Sequence, residues 1–517
     1  MNISKYLLIP LYLVLFLQFI KIKNDKITSK FNPTPTEYIE KKNNRKNIKE
    51  SRKNWINKMH KSAPDVDWKK NDSENRKNNT DEVRQARQQL LRSNNLIDIS
   101  DNYEVILNRQ IEGTWIERGS NNLAGRIRTA DIDFDNNLIY CASAGGNIWR
   151  GSLEGENWTS LNDYMQIQGI TFLRTVNTVF GKRLLIGSEN NGFYYSDNDC
   201  LTLSQSNGIN NYSIKRIIME HGTNHIYALV NSSPRAIYKS TDLGENFEIL
   251  VTLNENSGVI SAGISHFDIF TPRYFDSEIY LINDMNLYEL SNDELILISS
   301  LPGFYSDDVL LTGGVSNSGT FLYAYIEGQV FKSINGGLSW VHQGEAPTNW
   351  WWYNGFNSSN LERDKVFIGG MEVYKGSNCN DNQWDCNGGN IWQLVNPWWE
   401  YYDNIETRLH ADIPEVRFFL DEEYNEVGLI STDGGLYISN DYLESVQNIS
   451  MSGLGVSQYY STYSQRFYPY SIFAGSQDQG LQKSIPDNQN IEGIQNFEQI
   501  ISGDYGHLVS GNDGVSI

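Results

Sequence analysis

The sequence predicts an all-β protein, a β-propeller of four-stranded blades. Three observations predict it. A strand-like tripeptide followed by a Ser/Gly/Asp turn recurs about every 45 residues over most of the 517-residue chain. A second strand-like segment precedes each copy. No comparable stretch shows sustained helical periodicity. The composition agrees, with 42 Gly against 12 Pro, as many tight turns require.

The turn copies begin at Ile148, Phe193, Ile237, Leu287, Val330, Val373, Leu436 and Leu481, spaced 45, 44, 50, 43, 43, 63 and 45 residues apart. The long interval holds an insertion near residues 376–410. Upstream partners include LIYCASAGG at 138–146, RLLIGSENNG at 183–192, FLYAYIEGQ at 321–329 and SIFAGSQDQG at 471–480. These are rich in β-branched and aromatic residues and end in Gly or Asn turns. A unit of this size with about four short strands matches one propeller blade. A lone blade cannot cover its own faces, and radial packing covers them. Counted from Trp115, seven blades are present and an eighth begins. Residues 511–517 read as a strand entering a further blade, which predicts a C-terminally truncated chain.

The turn is chemically specific. In Ser240-Thr241-Asp242-Leu243-Gly244-Glu245-Asn246-Phe247, Ser240 and Asp242 can bond the turn backbone, Gly244 supplies a positive φ and Phe247 plugs the hairpin. Ser333, Gly337 and Trp340 repeat the pattern with Asn in place of Asp. This resembles the Asp-box, or bacterial neuraminidase repeat. The resemblance implies hairpin staples on the blade periphery rather than catalysts.

The start of the chain differs. Tyr6–Ile20 is fifteen residues without a charge, flanked by Lys5, Lys21 and Lys23. As a helix it would rise about 22 Å, short of a ~30 Å hydrocarbon core. Residues 1–22 therefore read as a secretory signal peptide. The alternative is an uncleaved anchor with snorkelling lysines, the only membrane contact expected. Residues 23–110 form a basic, Asn-rich leader with a short helix expected over 84–91. Residues 1–110 carry a net charge of +9, and residues 111–517, the propeller, carry −30. A body this acidic is a poor nucleic-acid binder. Four Cys exclude a disulfide-built scaffold.

Longer segments carry a further resemblance. Residues 119–150 (GSNNLAGRIRTADIDFDNNLIYCASAGGNIWR) resemble the opening blade of secreted sortilin-like and xyloglucanase-like propellers of the Bacteroidota. His410-Ala411-Asp412 is similar to that group's H-A-D-x-H, with Pro414 in place of the second His. Residues 432–437 look like N-D-G-G-I-Y, 475–480 like G-T-Q-D-N-G, and 502–506 like G-G-D-G-G. Residues 55–68 resemble the leader. The resemblance covers about residues 50–517 and implies a secreted propeller, often continued by a C-terminal module for type IX secretion. Xyloglucan-hydrolysing members carry a catalytic Asp in the first blade, and the aligned residue here is Ala144. Sialidase chemistry would need an Arg cluster and a Tyr/Glu nucleophile. Arg126-Ile127-Arg128 is only a faint echo of its F-R-I-P start.

Seven of thirteen Trp fall within 349–402. Trp350, Trp351, Trp352, Trp398 and Trp399 are candidates for stacking on sugar or anchoring a peptide, or for packing the insertion. Cys379 and Cys386 are placed for a local disulfide in an oxidising compartment. Asp381, Asp385 and neighbouring Asn residues offer oxygen ligands for a structural Ca²⁺, although no defined calcium motif is present. Cys141 is expected to be a buried free thiol. His410 and Asp412 share one strand face. With Asp433, Asp478 and Asp504 they could gather at the channel rim, as hydrogen-bonding residues or as a catalytic set. No zinc, phosphate-loop or dinucleotide motif appears, and no other cofactor is expected.

The expected function is a secreted or cell-surface monomer that binds or scaffolds polysaccharide or extracellular protein without catalysis. The alternative is a glycoside hydrolase acting on a β-glucan or xyloglucan. That chemistry usually needs two carboxylates flanking the bond, and Ala144 removes the one the resemblance places.

Overall fold

The computed structural model describes residues 116–508, apart from 211, 233–234, 254–266, 276–277, 284, 302–308, 327, 349–351, 378–391, 466–469 and 486–492. It also describes leader residues 49–50, 53–54, 70 and 74, which are helical. The chain divides into two units, Met1–Gln89 and Leu90–Ile517, and every described strand lies in the second. Among the described residues no helix is long and apolar enough to cross a membrane. The apolar run Tyr6–Ile20, the helix expected over 84–91 and residues 511–517 lie outside the described residues.

The strands form eight four-stranded antiparallel sheets, each a simple meander in chain order. The first strands of blades 1 to 7 are Ile127–Asp133, Ile170–Thr178, Ile214–Met219, Phe267–Phe270, Val309–Ser316, Phe356–Ser358 and Glu415–Leu420, and all but the second are mostly buried. These seven strands touch one another in that order, and the seventh returns to the first. The ring is therefore closed with seven blades.

Each junction holds its own hydrophobic cluster. Ile139 and Cys141 of blade 1 pack with Phe419 and Leu429 of blade 7. Tyr140 and Ile148 of blade 1 meet Leu173 and Ile186 of blade 2. Five further clusters continue this alternation around the ring. Strand alternation makes this possible, because successive side chains point to opposite faces and both faces of a blade are covered.

Among the described residues no strand is exchanged across the closure between blades 7 and 1. The incoming segment instead runs beside the outgoing one, with Gly125 N donating to Val456 O at 2.8 Å and Gly453 N to Asn121 O at 2.9 Å. The eighth sheet, Tyr459–Ser464 to Phe497–Ile501, follows the ring. Its Ala474 and Phe497 cluster with Leu123, just before blade 1. Seven blades close the ring, in line with the count of seven. The eighth sheet is complete by Ile501, earlier than a beginning at Gly511 would place it. The reason is that each of the eight turn motifs closes its own sheet.

In the turns, Ser240 Oγ donates to Asp242 Oδ1 at 2.8 Å and accepts from Gly244 N at 2.9 Å, while Asp242 Oδ1 accepts from the amides of Glu245 and Asn246 at 3.0 Å. Ser333, Asn335 and Gly337 repeat this geometry. Each such turn joins the third and fourth strands, the outer pair. Its aromatic reaches the preceding blade: Phe247 lies 5.1 Å from Phe193, and Trp340 Nε1 donates to Ser299 Oγ at 3.3 Å. Trp158 does the same across the closure, donating to Ile449 O at 3.2 Å.

Candidate functional site

The sequence-predicted residues His410, Asp412, Asp433, Asp478 and Asp504 meet where blades 1 and 7 join and the eighth sheet begins. Asp433 sits in the turn between the second and third strands of blade 7, Glu426–Thr432 and Gly435–Ser439. Asp478 occupies the equivalent turn of the eighth sheet, between Ile472–Ser476 and Gly480–Ser484, at φ 62°. His410 and Asp412 lie on the connection into blade 7. Turns of this kind present polar side chains at one rim of a propeller, so three separate segments converge.

Arg126, at the entry to blade 1, is the centre of the group. Its guanidinium makes a bidentate pair with the fully buried Asp433 carboxylate. The same Nη2 lies 3.3 Å from Asp478 Oδ2 and 3.9 Å from Asp412 Oδ2. The three carboxylates are within 4.8 Å of one another. Such an oxygen triad could in principle ligate a divalent cation. Arg126 already places a cationic nitrogen among all three, so the donor set is matched by the chain itself.

Crowding three carboxylates around one cation leaves excess negative charge. Burial, then the hydrogen bond to Asp433 and the Asp433 charge, push Asp478 up to about 7. Burial and the Asp478 charge raise Asp412, and burial raises Asp433 against the opposing pull of Arg126. Asp478 thus holds a proton through much of the acidic range and shares it with Asp433. Asp504 is exposed and accepts from Asp478 N at 3.0 Å, which fixes the Asp478 turn.

His410 is 4 % exposed and burial lowers its pKa, so the ring is neutral. It lies 3.2 Å from Asp478 O through Nε2 and 3.0 Å from Ala411 O through Nδ1, and a neutral ring donates to only one of them. It stacks edge-on against Tyr401 at 4.5 Å. Its other side rests on Gly434, where a Cβ would come within 2.6 Å of His410 Cβ. That contact requires the glycine. Tyr402 Oη donates to Asp478 O at 3.3 Å, and Tyr401 Oη to Gln479 Oε1 at 3.1 Å.

The aromatics separate. Trp352 lies over Arg126 and Arg128, 6.0 Å and 5.6 Å from their guanidinium carbons, and so lines this rim. Trp398 packs edge-on against Tyr402 at 6.2 Å. Trp399 is 56 % exposed and packs edge-on against Trp398 at 5.8 Å. Trp350, Trp351, Cys379, Cys386 and the acidic loop proposed for Ca²⁺ lie outside the described residues. Cys141 and Cys200 are buried free thiols, both with pKa raised by burial. Ala144 follows the second strand of blade 1, and its amide donates to Arg126 O at 3.1 Å. The position where the resemblance puts a carboxylate is thus beside the group and carries a methyl.

Sequence reasoning missed the role of Arg126. The signal was present, because Arg126 ends the G-S-N-N-L-A-G-R segment that carries the resemblance.

No family model matches the chain, and no curated protein matches it. Among solved structures, it is similar to the extracellular domain of the one-component system BT4673 from B. thetaiotaomicron at 13 % identity and TM-score 0.43, covering 77 % of this chain. The chain spans about half the length of that protein, 51 %. It is also similar to the computationally designed Ika8 protein, at 10 % identity and TM-score 0.40 over 71 % of this chain and 98 % of that one. A third similarity is to YCF48 bound to D1 peptide, at 12 % identity and TM-score 0.38 over 65 % and 98 %.

Proposed function

We propose that the chain is a secreted or cell-surface β-propeller that binds polysaccharide or extracellular protein and does not catalyse. One observation carries the reading. The carboxylates at the rim are drawn onto Arg126 and onto each other, with oxygens within 4.8 Å. Glycoside hydrolases hold their two carboxyl groups about 5–5.5 Å apart for retention and about 6.5–9.5 Å apart for inversion. A pair that shares one proton and one guanidinium leaves no room for a sugar between its members. Ala144, beside it, has no proton to give or take. Trp352, Trp398 and the exposed Trp399 offer flat faces for a ligand at the same rim. The export reading rests on the apolar run Tyr6–Ile20 and its flanking lysines.

A second reading, hydrolysis of a β-glucan, is favoured by one feature: a carboxyl raised to about 7 beside a second carboxyl paired with Arg126 resembles an acid–base pair. A reducing-end assay over a polysaccharide panel, run beside affinity electrophoresis on the same panel, separates the two. The expected result is retention of one or more polymers without new reducing ends. Turnover that disappears in Asp433→Ala or Asp478→Ala would establish the hydrolase instead.

A further inference from the structure

The ring has a second charged constellation, opposite in sign to the rim. A cavity of about 120 Å³ is lined by residues from blades 2 to 7. Its wall includes four arginines, Arg174, Arg216, Arg273 and Arg417, together with Asn354 and Thr271. Among the described residues that line it there is no Asp, Glu, Tyr or His.

Three of the arginines are matched by carboxylates set behind them. Arg216 pairs bidentately with Asp268, at 3.0 and 2.6 Å, and its third nitrogen donates to Asn354 Oδ1 at 3.1 Å. Arg417 pairs with Glu415 at 2.5 Å, and Arg273 pairs with Asp131. All three carboxylates are at most 1 % exposed and are consumed on their far sides by backbone amides. Asp268 accepts from Leu311 N at 2.9 Å, Asp131 from Thr175 N at 2.8 Å and Glu415 from Ala130 N at 2.9 Å. The negative charge thus faces the strands, while Arg417 spends its other terminal nitrogen on the carbonyls of Ala130 and Leu173, each at 3.5 Å.

The fourth, Arg174, makes no hydrogen bond or ion pair among the described residues. Burial, then repulsion from Arg273, lower it to about 9 against the pull of Asp131 and Tyr274, and it is still charged at neutral pH. Two more donors face nothing: Arg273 Nε and Thr271 Oγ1 are buried without a partner, and Thr271 is 7 % exposed. Among the described residues, four guanidinium groups against three carboxylates leave one positive charge. Apolar neighbours such as Phe172, Phe356 and Phe418 strengthen it by lowering the local dielectric.

We infer that this cavity binds the carboxylate group of a small acidic ligand, held between Arg174, Arg273 Nε and Thr271 Oγ1. A monoanion matches the single uncompensated charge. The planar fork of a guanidinium matches the two oxygens of a carboxylate. The cavity is partly open to solvent, so it has to enclose only the carboxylate end of a ligand. The site is separate from the carboxylate rim and goes beyond the proposed function.

The test is calorimetry and thermal melting of the purified chain with sodium glucuronate and sodium acetate, with glucose as the neutral probe and inorganic phosphate as the tetrahedral one. Saturable binding of the two carboxylates and none of glucose is expected. Arg174→Gln should weaken carboxylate binding about tenfold or more, and Thr271→Val about threefold or more. Without added anion, Arg174→Gln should raise the melting midpoint by about 1–2 °C, because it removes a half-buried charge that has no hydrogen-bonded partner among the described residues. The variant is therefore expected to fold. Absence of carboxylate binding by the parent chain, equal binding by both variants, or phosphate binding tighter than glucuronate would each overturn the assignment.

Discussion

The rim and the axial cavity solve the same problem in opposite directions. At the rim, three aspartates surround one arginine. In the cavity, four arginines face three carboxylates. An excess carboxylate can take up a proton near neutral pH, and Asp478 does so. An excess guanidinium cannot release one in the same range, so Arg174 stays charged and has no hydrogen-bonded partner among the described residues. Surplus acid is absorbed by the chain itself, whereas surplus base waits for an anion. The comparison separates a clasp from a receptor, although both are buried charge clusters on one ring.

The largest expected effect breaks the clasp. Arg126→Met leaves Asp433 buried without its cation and should cost about 3–5 kcal/mol in urea unfolding. A cost under about 1 kcal/mol would mean that the closure relies on Trp158 and the blade 1–7 hydrophobic cluster alone.

Replacing a turn glycine comes next. At Gly244, φ is 87° and a Cβ would lie 2.4 Å from Phe193 Cε1. Gly244→Ala should therefore cost about 2–3 kcal/mol, from both backbone strain and overpacking against blade 2. Thermal melting that matches the parent would show that blade 2 can shift to accept the methyl.

Titration sharpens the contrast. Asp478 is raised in the folded chain from an ordinary value near 4 to about 7. Between those limits the folded state binds more protons than the unfolded one, so stability falls as pH rises from about 4 to about 7. Asp412 and Asp433 are raised too and act in the same sense. Asp478→Asn should flatten this slope and make the chain about 1–2 kcal/mol more stable than the parent at pH 8, with little difference at pH 4. A slope unchanged by the substitution would place the proton elsewhere.

The smallest effect lies in the turns. Asp242→Ala removes the acceptor for two backbone amides on a partly exposed hairpin and should cost about 1–2 kcal/mol. Ser439 and Asp441 build the same turn in blade 7, with Leu443 N donating to Ser439 Oγ at 2.9 Å. There the glycine position holds Leu443, at φ 63° and 1 % exposed. Burial of a leucine in the blade 6–7 cluster offsets the strained backbone, so Leu443→Gly should destabilise rather than relieve.

The blades were legible in the sequence because their signal is local. Period, strand composition and turn chemistry all lie within about 45 residues of one another. Four of the rim aspartates and His410 were legible because each ends a short motif. Their partner Arg126 was visible, but its meaning needed the ring to close, since it lies 307 positions from Asp433. The axial cavity was not legible at all. Its arginines stand on four different blades, Arg174, Arg216 and Arg417 in first strands and Arg273 in the connection after Phe267–Phe270, and only radial packing brings them together. In the turn copies beginning at Phe193 and Leu436, Cys200 and Leu443 adopt the positive φ that a glycine supplies elsewhere.

A crystal structure of the chain grown with glucuronate tests the contrast most directly. The account predicts carboxylate density against Arg174 and Thr271 in the axial cavity, with Arg126 still paired to Asp433 and no ligand between the rim carboxylates. A glucuronate bound at the rim, or Arg174 found in an ion pair with a carboxylate of the chain, would contradict it.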